Sequence, residues 1–119
     1  CSYASFFIEP VQVTVPVTGT YQIFTQSSLD TFGFLYQSLF DIRFVFTNLI
    51  NYDDDSNGNS QFRLQQTLQA SQTYVVLVTT LSSNVTGAFL LVGTGAGRLT
   101  FTRVTNLSKF FPCRFIFGR

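Results

Sequence analysis

Apolar and polar residues alternate along much of this chain, and this repeat of two residues constrains the fold more than any other feature. Val11, Val13 and Val15 are separated by Gln12 and Thr14, for example. Successive side chains of an extended strand point to opposite faces, so the alternation predicts half-buried β-strands, whereas no segment carries a sustained helical repeat. The pattern predicts strands at 6–16, 19–25, 31–36, 62–68, 74–81, 87–93, 98–104 and 110–117.

About eight strands at this spacing predict an all-β fold, a two-sheet jelly-roll or Greek-key β-sandwich. The strands at 74–81 and 87–93 are apolar on both faces, which predicts central positions in their sheets. Pro10 and Pro16 predict an edge strand or a bulge at 6–16, because proline has no N–H to donate to a neighbouring strand. We divide the chain into a sandwich core at 1–97 and a basic, Phe-rich C-terminal part at 98–119.

The composition argues against catalysis. The chain has no histidine, which removes the commonest general base and every Ser–His or Cys–His pair. The glycine-rich stretch 93–97 lacks the third glycine of a dinucleotide-binding loop, where Arg98 stands instead. A glycosidase pair of Asp30 and Asp54 would need a cleft, which a small filled sandwich lacks. The sequence predicts a binding or structural protein rather than an enzyme, and its apolar stretches are too short to span a membrane.

Charge is distributed unevenly along the chain. Residues 1–97 contain all six acidic residues but only two arginines, a net charge of −4, whereas residues 98–119 carry five basic residues and no acid. The basic residues are spaced among Phe and Thr and accompany no nucleic-acid recognition motif, so no nucleic-acid partner is predicted. The distribution favours attraction between the C-terminal part of one copy and the acidic body of the next.

Three of the six acidic residues are adjacent, in the run Asp53 to Asp55, and the polar stretch that contains them continues to Asn59. Adjacent carboxylates repel one another, and a hard divalent cation with several oxygen ligands removes that repulsion, so calcium is the predicted ligand. The stretch is not an EF-hand loop, because Leu64 stands where a bidentate Glu is required. The alternative is a solvated acidic turn without metal, since Asn57-Gly58 is a hairpin signal.

Several short motifs occur in an order that is found in one known family. This combination, over about residues 11–93, resembles the bacterial pre-peptidase C-terminal domain and related tandem repeats of large secreted eukaryotic proteins. The motifs are Gly19-Thr20-Tyr21, Leu29-Asp30-Thr31-Phe32-Gly33-Phe34-Leu35-Tyr36, Asp53-Asp54-Asp55-Ser56-Asn57-Gly58-Asn59, Phe62-Arg63, Leu68-Gln69-Ala70, Thr73-Tyr74-Val75-Val76-Leu77-Val78 and Asn84-Val85-Thr86-Gly87-Ala88-Phe89.

The resemblance implies a secreted jelly-roll sandwich, usually an accessory or array module without catalysis, some members of which bind calcium. It places Asp30 and the run Asp53 to Asp55 on the family's acidic positions, and Asn57 and Asn59 in its Gly/Asn-rich turn. It therefore implies a calcium site with ligands from two loops. The implied ligands are Asp30, Asp53, Asp54, Asp55, Asn57 and Asn59.

Two cysteines and two sequons indicate an extracellular protein. Cys1 and Cys113 are an even pair, so we predict a disulfide, either within one chain or to the adjacent copy. Asn84 and Asn106 begin N-glycosylation sequons and are predicted glycan sites in a eukaryotic host. Because the chain begins with Cys1 rather than Met, we expect that a targeting segment was removed or that the chain is a unit of a longer product.

The C-terminal end is too apolar to remain in water. In an extended strand Phe111, Phe115 and Phe117 share one face with Cys113, and Phe110 lies on the other face. The segment packs either as the last strand of its own sandwich or on the edge or groove of a neighbouring copy. The second arrangement would build an open fibre or array.

Together these features predict an extracellular, glycosylated and calcium-stabilised structural module that assembles with copies of itself. The alternative is a carbohydrate- or collagen-binding accessory domain of a secreted hydrolase, which would need an exposed aromatic platform. The chain has no tryptophan, so Tyr3, Tyr36 and Tyr52 are the tyrosines considered for that platform.

Overall fold

The computed structural model describes residues 8–38, 46–80 and 87–104, and their regular structure consists of β-strands. This confirms the predicted all-β class. The strands are β1 (Glu9–Thr14), β2 (Gly19–Ser27), β3 (Thr31–Gln37), β4 (Leu49–Asp53), β5 (Arg63–Leu68), β6 (Tyr74–Thr80), β7 (Phe89–Gly95) and β8 (Thr100–Arg103).

Two antiparallel sheets form a β-sandwich. The larger sheet has the order β4-β3-β6-β1-β8 and the smaller one the order β5-β2-β7. The chain passes from one sheet to the other at every connection except that from β3 to β4. Most strands that follow one another in the sequence therefore belong to opposite sheets rather than pairing as hairpins.

The core lies between the sheets and consists of the inward-facing members of each alternation. Val13, Leu35 and Val76 of the larger sheet form one cluster with Ile23 and Leu64 of the smaller sheet, and each of these residues is at most 1% exposed. Full burial of such a side chain contributes roughly 1.5–3 kcal/mol. The repeat of two residues thus determines which face of each strand is buried.

The position of β1 contradicts the prediction from its prolines. β1 lies between β6 and β8 rather than at an edge. The carbonyl of Pro10 accepts a hydrogen bond from the N–H of Val104 at 3.3 Å. The nitrogen and carbonyl of a strand residue project to the same side, so the missing N–H of Pro10 falls at the end of the β1–β8 ladder, where only the final bond is lost. Pro16 lies beyond the end of β1.

Two further differences concern the sheet edges. Among the described strands β7 has only β2 beside it, so it lies at the edge of the described sheet rather than at the predicted central position, and its apolar residue Leu90 is 57% exposed. The strand β4 was not predicted, because Asn51 and Asp53 make its five residues too polar for a recognisable pattern. It pairs with β3, with Tyr52 opposite Phe34. The strand predicted at 110–117 lies outside the described residues.

An ion pair between the buried Glu9 and the half-exposed Arg103 connects β8 to β1. Arg103 Nε donates to Glu9 Oε2 at 2.7 Å, and Glu9 is 4% exposed. Burial raises the pKa of Glu9, although the charge and the hydrogen bond of Arg103 act to lower it. Residues 100–103, at the start of the basic C-terminal part, therefore belong to the same sheet as β1.

Gly33 is expected to tolerate no side chain. A Cβ atom there would lie 2.5 Å from two ring atoms of Phe62, which is fully buried. We expect Gly33→Ala to lower the free energy of unfolding by about 1–3 kcal/mol, the usual cost of overpacking a core, as measured by urea denaturation. Thr14→Ala, at an exposed position, is the control and should change this value by less than about 0.5 kcal/mol. Equal stabilities of the two variants would contradict the expectation.

Candidate functional site

The loop 54–62 joins β4 to β5 and lies against the turn that precedes β3. The N–H of Thr31 donates to the carbonyl of Ser60 at 2.9 Å, and the N–H of Phe62 donates to Thr31 Oγ1 at 3.2 Å. Thr31 Oγ1 also lies 2.6 Å from Thr25 Oγ1 in a buried hydroxyl pair. Buried hydrogen bonds are costly to lose, so these contacts hold the loop and the turn together.

The tip of this loop is a tight turn. The N–H of Gly58 donates to the carbonyl of Asp55 at 2.9 Å, and the N–H of Gln61 donates to the carbonyl of Gly58 at 3.0 Å. Gly58, Asn59 and Ser60 have φ angles of 77°, 54° and 62°. Glycine and asparagine adopt this left-handed backbone more readily than other residues, which explains the polar, glycine-containing sequence.

Gln61 positions the turn before Asp30. Its Nε2 donates to the carbonyl of Leu29 at 2.6 Å and to that of Ser60 at 3.0 Å. Gln61 is 4% exposed, and its Oε1 is buried without a hydrogen-bond donor. The sequence analysis missed this residue, because a glutamine that follows a polar turn carries no signal of burial.

Three carboxylates converge where the turn meets the loop. One oxygen each of Asp30, Asp54 and Asp55 lies within 4.8 Å of the other two. Two oxygens that bind the same calcium ion at roughly 2.3–2.6 Å are separated by at most about twice that distance, so the spacing fits one ion. Oδ1 of Asp30 and Oδ1 of Asp54 are buried without a hydrogen-bond donor, and a cation would satisfy both. We call these three residues the carboxylate cluster.

The carboxylate cluster is electrostatically unfavourable by itself. Burial, followed by the negative charges of Asp55 and Asp30, raises the pKa of Asp54 from 3.8 to about 6. A divalent cation would have the opposite effect, because it favours the ionised carboxylate. The donor set consists of oxygens, which is the type that calcium and magnesium prefer.

Asp53 has a different role from its neighbours. Its Oδ2 accepts hydrogen bonds from the N–H of Ser56 at 3.0 Å and of Arg63 at 2.8 Å, and its Oδ1 accepts one from Ser56 Oγ at 2.6 Å. Burial acts to raise the pKa of Asp53, but these bonds and one from the backbone of Asp54 lower it overall. Of the six predicted ligands, the structure brings together Asp30, Asp54 and Asp55, whereas Asp53 closes the base of the loop and Asn57 and Asn59 lie near its tip.

An aromatic cluster lies next to this loop, on the outer face of β3 and β4. Phe32 and Phe34 stack with their ring centroids 4.8 Å apart, and the Tyr52 ring lies 6.5 Å and 6.3 Å from them. Tyr52 is 62% exposed, whereas Tyr36 is 1% exposed and cannot belong to an exposed platform. Tyr3 lies outside the described residues. We refer to Phe32, Phe34 and Tyr52 as the aromatic cluster.

Several predicted site residues lie outside the part of the chain that the structure describes, and their roles stay predictions. They are the disulfide candidates Cys1 and Cys113, the glycosylation sites Asn84 and Asn106, and the assembly residues Phe110, Phe111, Phe115 and Phe117.

No protein-family model matches the chain, and neither curated proteins nor solved structures include a match. The resemblance to the pre-peptidase C-terminal domain therefore stays a prediction. Among the described residues there is no helix with the length and hydropathy needed to cross a lipid bilayer.

Asp54 is expected to make the metal-free protein less stable as the pH rises. Its pKa is about 6 in the folded state, compared with an ordinary value of 3.8. The contribution of protonated Asp54 to the free energy of unfolding is therefore fully present below about pH 4 and is lost as the pH rises through about 6. The lowered pKa of Asp53 acts in the opposite sense at lower pH, because its contribution is lost as the pH falls below its ordinary value of 3.8.

The test compares wild type with Asp54→Asn in EGTA, by urea denaturation between roughly pH 4 and pH 7. The raised pKa of Glu9 contributes a slope of the same sign to both proteins, so the difference between them isolates Asp54. We expect the midpoint to fall less steeply with pH in the variant. Equal slopes would show that Asp54 titrates as an ordinary exposed carboxyl group.

Proposed function

We propose that this chain is a non-catalytic structural module of the extracellular space, whose copies associate head to tail. The contact is made by the C-terminal segment, which we define as residues 105–119 and which contains three basic residues and no acid. Glycans and a disulfide belong to the same proposal. The residues concerned are Phe110, Phe111, Phe115 and Phe117 for assembly, Asn84 and Asn106 for glycans, and Cys1 and Cys113 for the disulfide.

The observation that supports this proposal is that the strands leading into the two charged regions lie at opposite edges of the larger sheet. The strand β8, which leads into the basic C-terminal segment, lies at one edge, and β4, which leads into the carboxylate cluster, lies at the other. The two edges are separated by four strand spacings, or about 19 Å. We expect the basic segment of one copy to be attracted to the acidic edge of a second copy, and a head-to-tail contact of this kind can be repeated to form an open chain of copies.

Calcium is the proposed ligand of the carboxylate cluster. The support comes from the spacing of the three carboxylates and from the two buried Oδ1 atoms that lack donors. An ion held by Asp30, Asp54 and Asp55 would join the turn before β3 to the loop after β4. Its proposed role is to stiffen the acidic edge rather than to take part in a reaction.

Carbohydrate binding is the second candidate, and the exposed Tyr52 ring is the observation in its favour. Sugars stack on the free faces of aromatic rings. Phe32 and Phe34 are nearly parallel, with an angle of 14° between their planes, and each covers one face of the other. The aromatic cluster therefore offers little of the flat platform that a sugar requires, and we favour assembly.

Calcium is expected to stabilise the fold. At a hundredfold excess over its dissociation constant, a ligand that binds only the folded state adds about 2.7 kcal/mol, which corresponds to several degrees in melting temperature. We expect this rise in calcium relative to EGTA for wild type, and its loss in Asp30→Asn and Asp54→Asn. Glu9→Gln, an acid outside the carboxylate cluster, is the control and should keep the rise. No shift in wild type would mean that the loop is an ordinary acidic turn.

Assembly is tested on the purified full-length chain by light scattering and negative-stain microscopy, with and without reductant. We expect oligomers or fibres that grow with protein concentration, because each copy carries both a C-terminal segment that binds a neighbour and a surface that receives the segment of another copy. Phe115→Ser with Phe117→Ser should reduce assembly, whereas Leu90→Ser, which removes an exposed apolar side chain from β7, should not. A monodisperse wild-type monomer, unaffected by reductant, would contradict the proposed function.

A further inference from the structure

The aromatic cluster is an apolar surface outside the core. Thr31, Gly33 and Leu35 of β3 are buried on the inward side, so Phe32 and Phe34 project from the opposite face. Tyr52 pairs with Phe34 on the neighbouring strand and projects from the same face as Ile50. Tyr52 and Ile50 are 62% and 37% exposed, so this surface is accessible to a binding partner.

The aromatic cluster has an acidic border at one end. Asp30 stands two residues before Phe32, and its carboxylate belongs to the carboxylate cluster with those of Asp54 and Asp55. Asp53 is not part of this border, because it pairs with the inward-facing Gly33 and accepts the N–H of Arg63 of the smaller sheet. If two such surfaces paired face to face with these ends aligned, their acidic borders would lie close together, and like charges across an interface disfavour that arrangement. A partner for this surface should therefore combine aromatic side chains with positive charge.

The C-terminal segment has this combination of side chains. It alternates Phe115 and Phe117 with Arg114 and Ile116, and it ends in Arg119. Its fifteen residues could extend about 50 Å from the end of the described sheet, which is more than the width of that sheet. Its positive charges and aromatic rings complement the acidic border and the aromatic cluster, respectively.

We propose that the aromatic cluster is the acceptor site for the C-terminal segment of a second copy. This inference rests on the proposed function and specifies where on the neighbouring copy the segment binds. In the proposed contact the rings of the segment pack against Tyr52 and Phe34, and its basic residues face the carboxylate cluster. The donor leaves one edge of the larger sheet and the acceptor lies at the other, so each added copy presents a new acceptor.

The acceptor is tested in the full-length chain by Ile50→Ser with Tyr52→Ser, two substitutions at exposed positions. Removal of a central aromatic contact typically weakens an interface by at least about tenfold, so we expect at least that increase in the concentration needed for half-assembly. Tyr52→Phe keeps the ring and should assemble like wild type, as should the control Leu90→Ser. Urea midpoints of all variants establish that each one is folded.

Mixing variants separates this inference from the proposed function. The acceptor variant, Ile50→Ser with Tyr52→Ser, keeps its donor, and the donor variant, Phe115→Ser with Phe117→Ser, keeps its acceptor. Each alone should remain monomeric, and an equimolar mixture should form a one-to-one heterodimer that does not grow further. If the acceptor variant assembles like wild type while the donor variant does not, the acceptor lies elsewhere and only this inference fails.

Two other outcomes overturn the inference in different ways. If the donor variant assembles like wild type while the acceptor variant does not, the aromatic cluster contacts something other than the C-terminal segment, and the proposed function fails as well. If wild type is monomeric and the acceptor variant is destabilised relative to Tyr52→Phe, the segment binds the aromatic cluster of its own chain. Binding of a soluble oligosaccharide by wild type and not by the acceptor variant would favour the carbohydrate-binding alternative.

Discussion

The buried contact between Thr25, Thr31 and Phe62 is the interaction on which the rest of the structure depends. Thr25 belongs to the smaller sheet and Thr31 to the larger one, and their hydroxyl groups lie 2.6 Å apart. The N–H of Phe62 donates to the same Thr31 oxygen. A buried hydrogen bond contributes only about 0.5–1.5 kcal/mol, but an orphaned buried hydroxyl group costs about 1–3 kcal/mol. The contact therefore specifies how the two sheets and the acidic loop fit together.

The acidic loop and the aromatic cluster both follow from the pairing of β3 with β4. This pairing places Tyr52 opposite Phe34 and brings Asp53 beside the start of β5, where it accepts the N–H of Arg63. The chain then turns back so that Asp54 and Asp55 approach Asp30. The polar, five-residue edge strand β4 thus positions both the acidic loop and the aromatic cluster.

The distribution of charge along the chain supports the proposed direction of assembly. The basic residues are concentrated after residue 97 and the acidic residues before it. Among the described residues, β8 and the strand β4 that leads into the carboxylate cluster lie at opposite edges of the larger sheet. The proposed head-to-tail contacts would pair the acidic region of one copy with the basic region of the next. A cation in the carboxylate cluster would reduce the negative charge without removing it, since three carboxylates exceed the charge of one divalent ion.

The sequence by itself determined the fold class, most of the strands and the acidic character of the loop, because a repeat of two residues and a run of carboxylates are local signals. It did not reveal β4, the edge position of β7 or the interior position of β1. Those depend on which strands become neighbours, and the pairing of distant segments produces no recognisable sequence pattern within either segment. In the same way, only the tertiary structure separated Asp53 from Asp30, Asp54 and Asp55, buried Tyr36 and Gln61, and exposed Tyr52. The sequence determines the chemistry of each side chain, whereas packing determines its neighbours and its exposure to water.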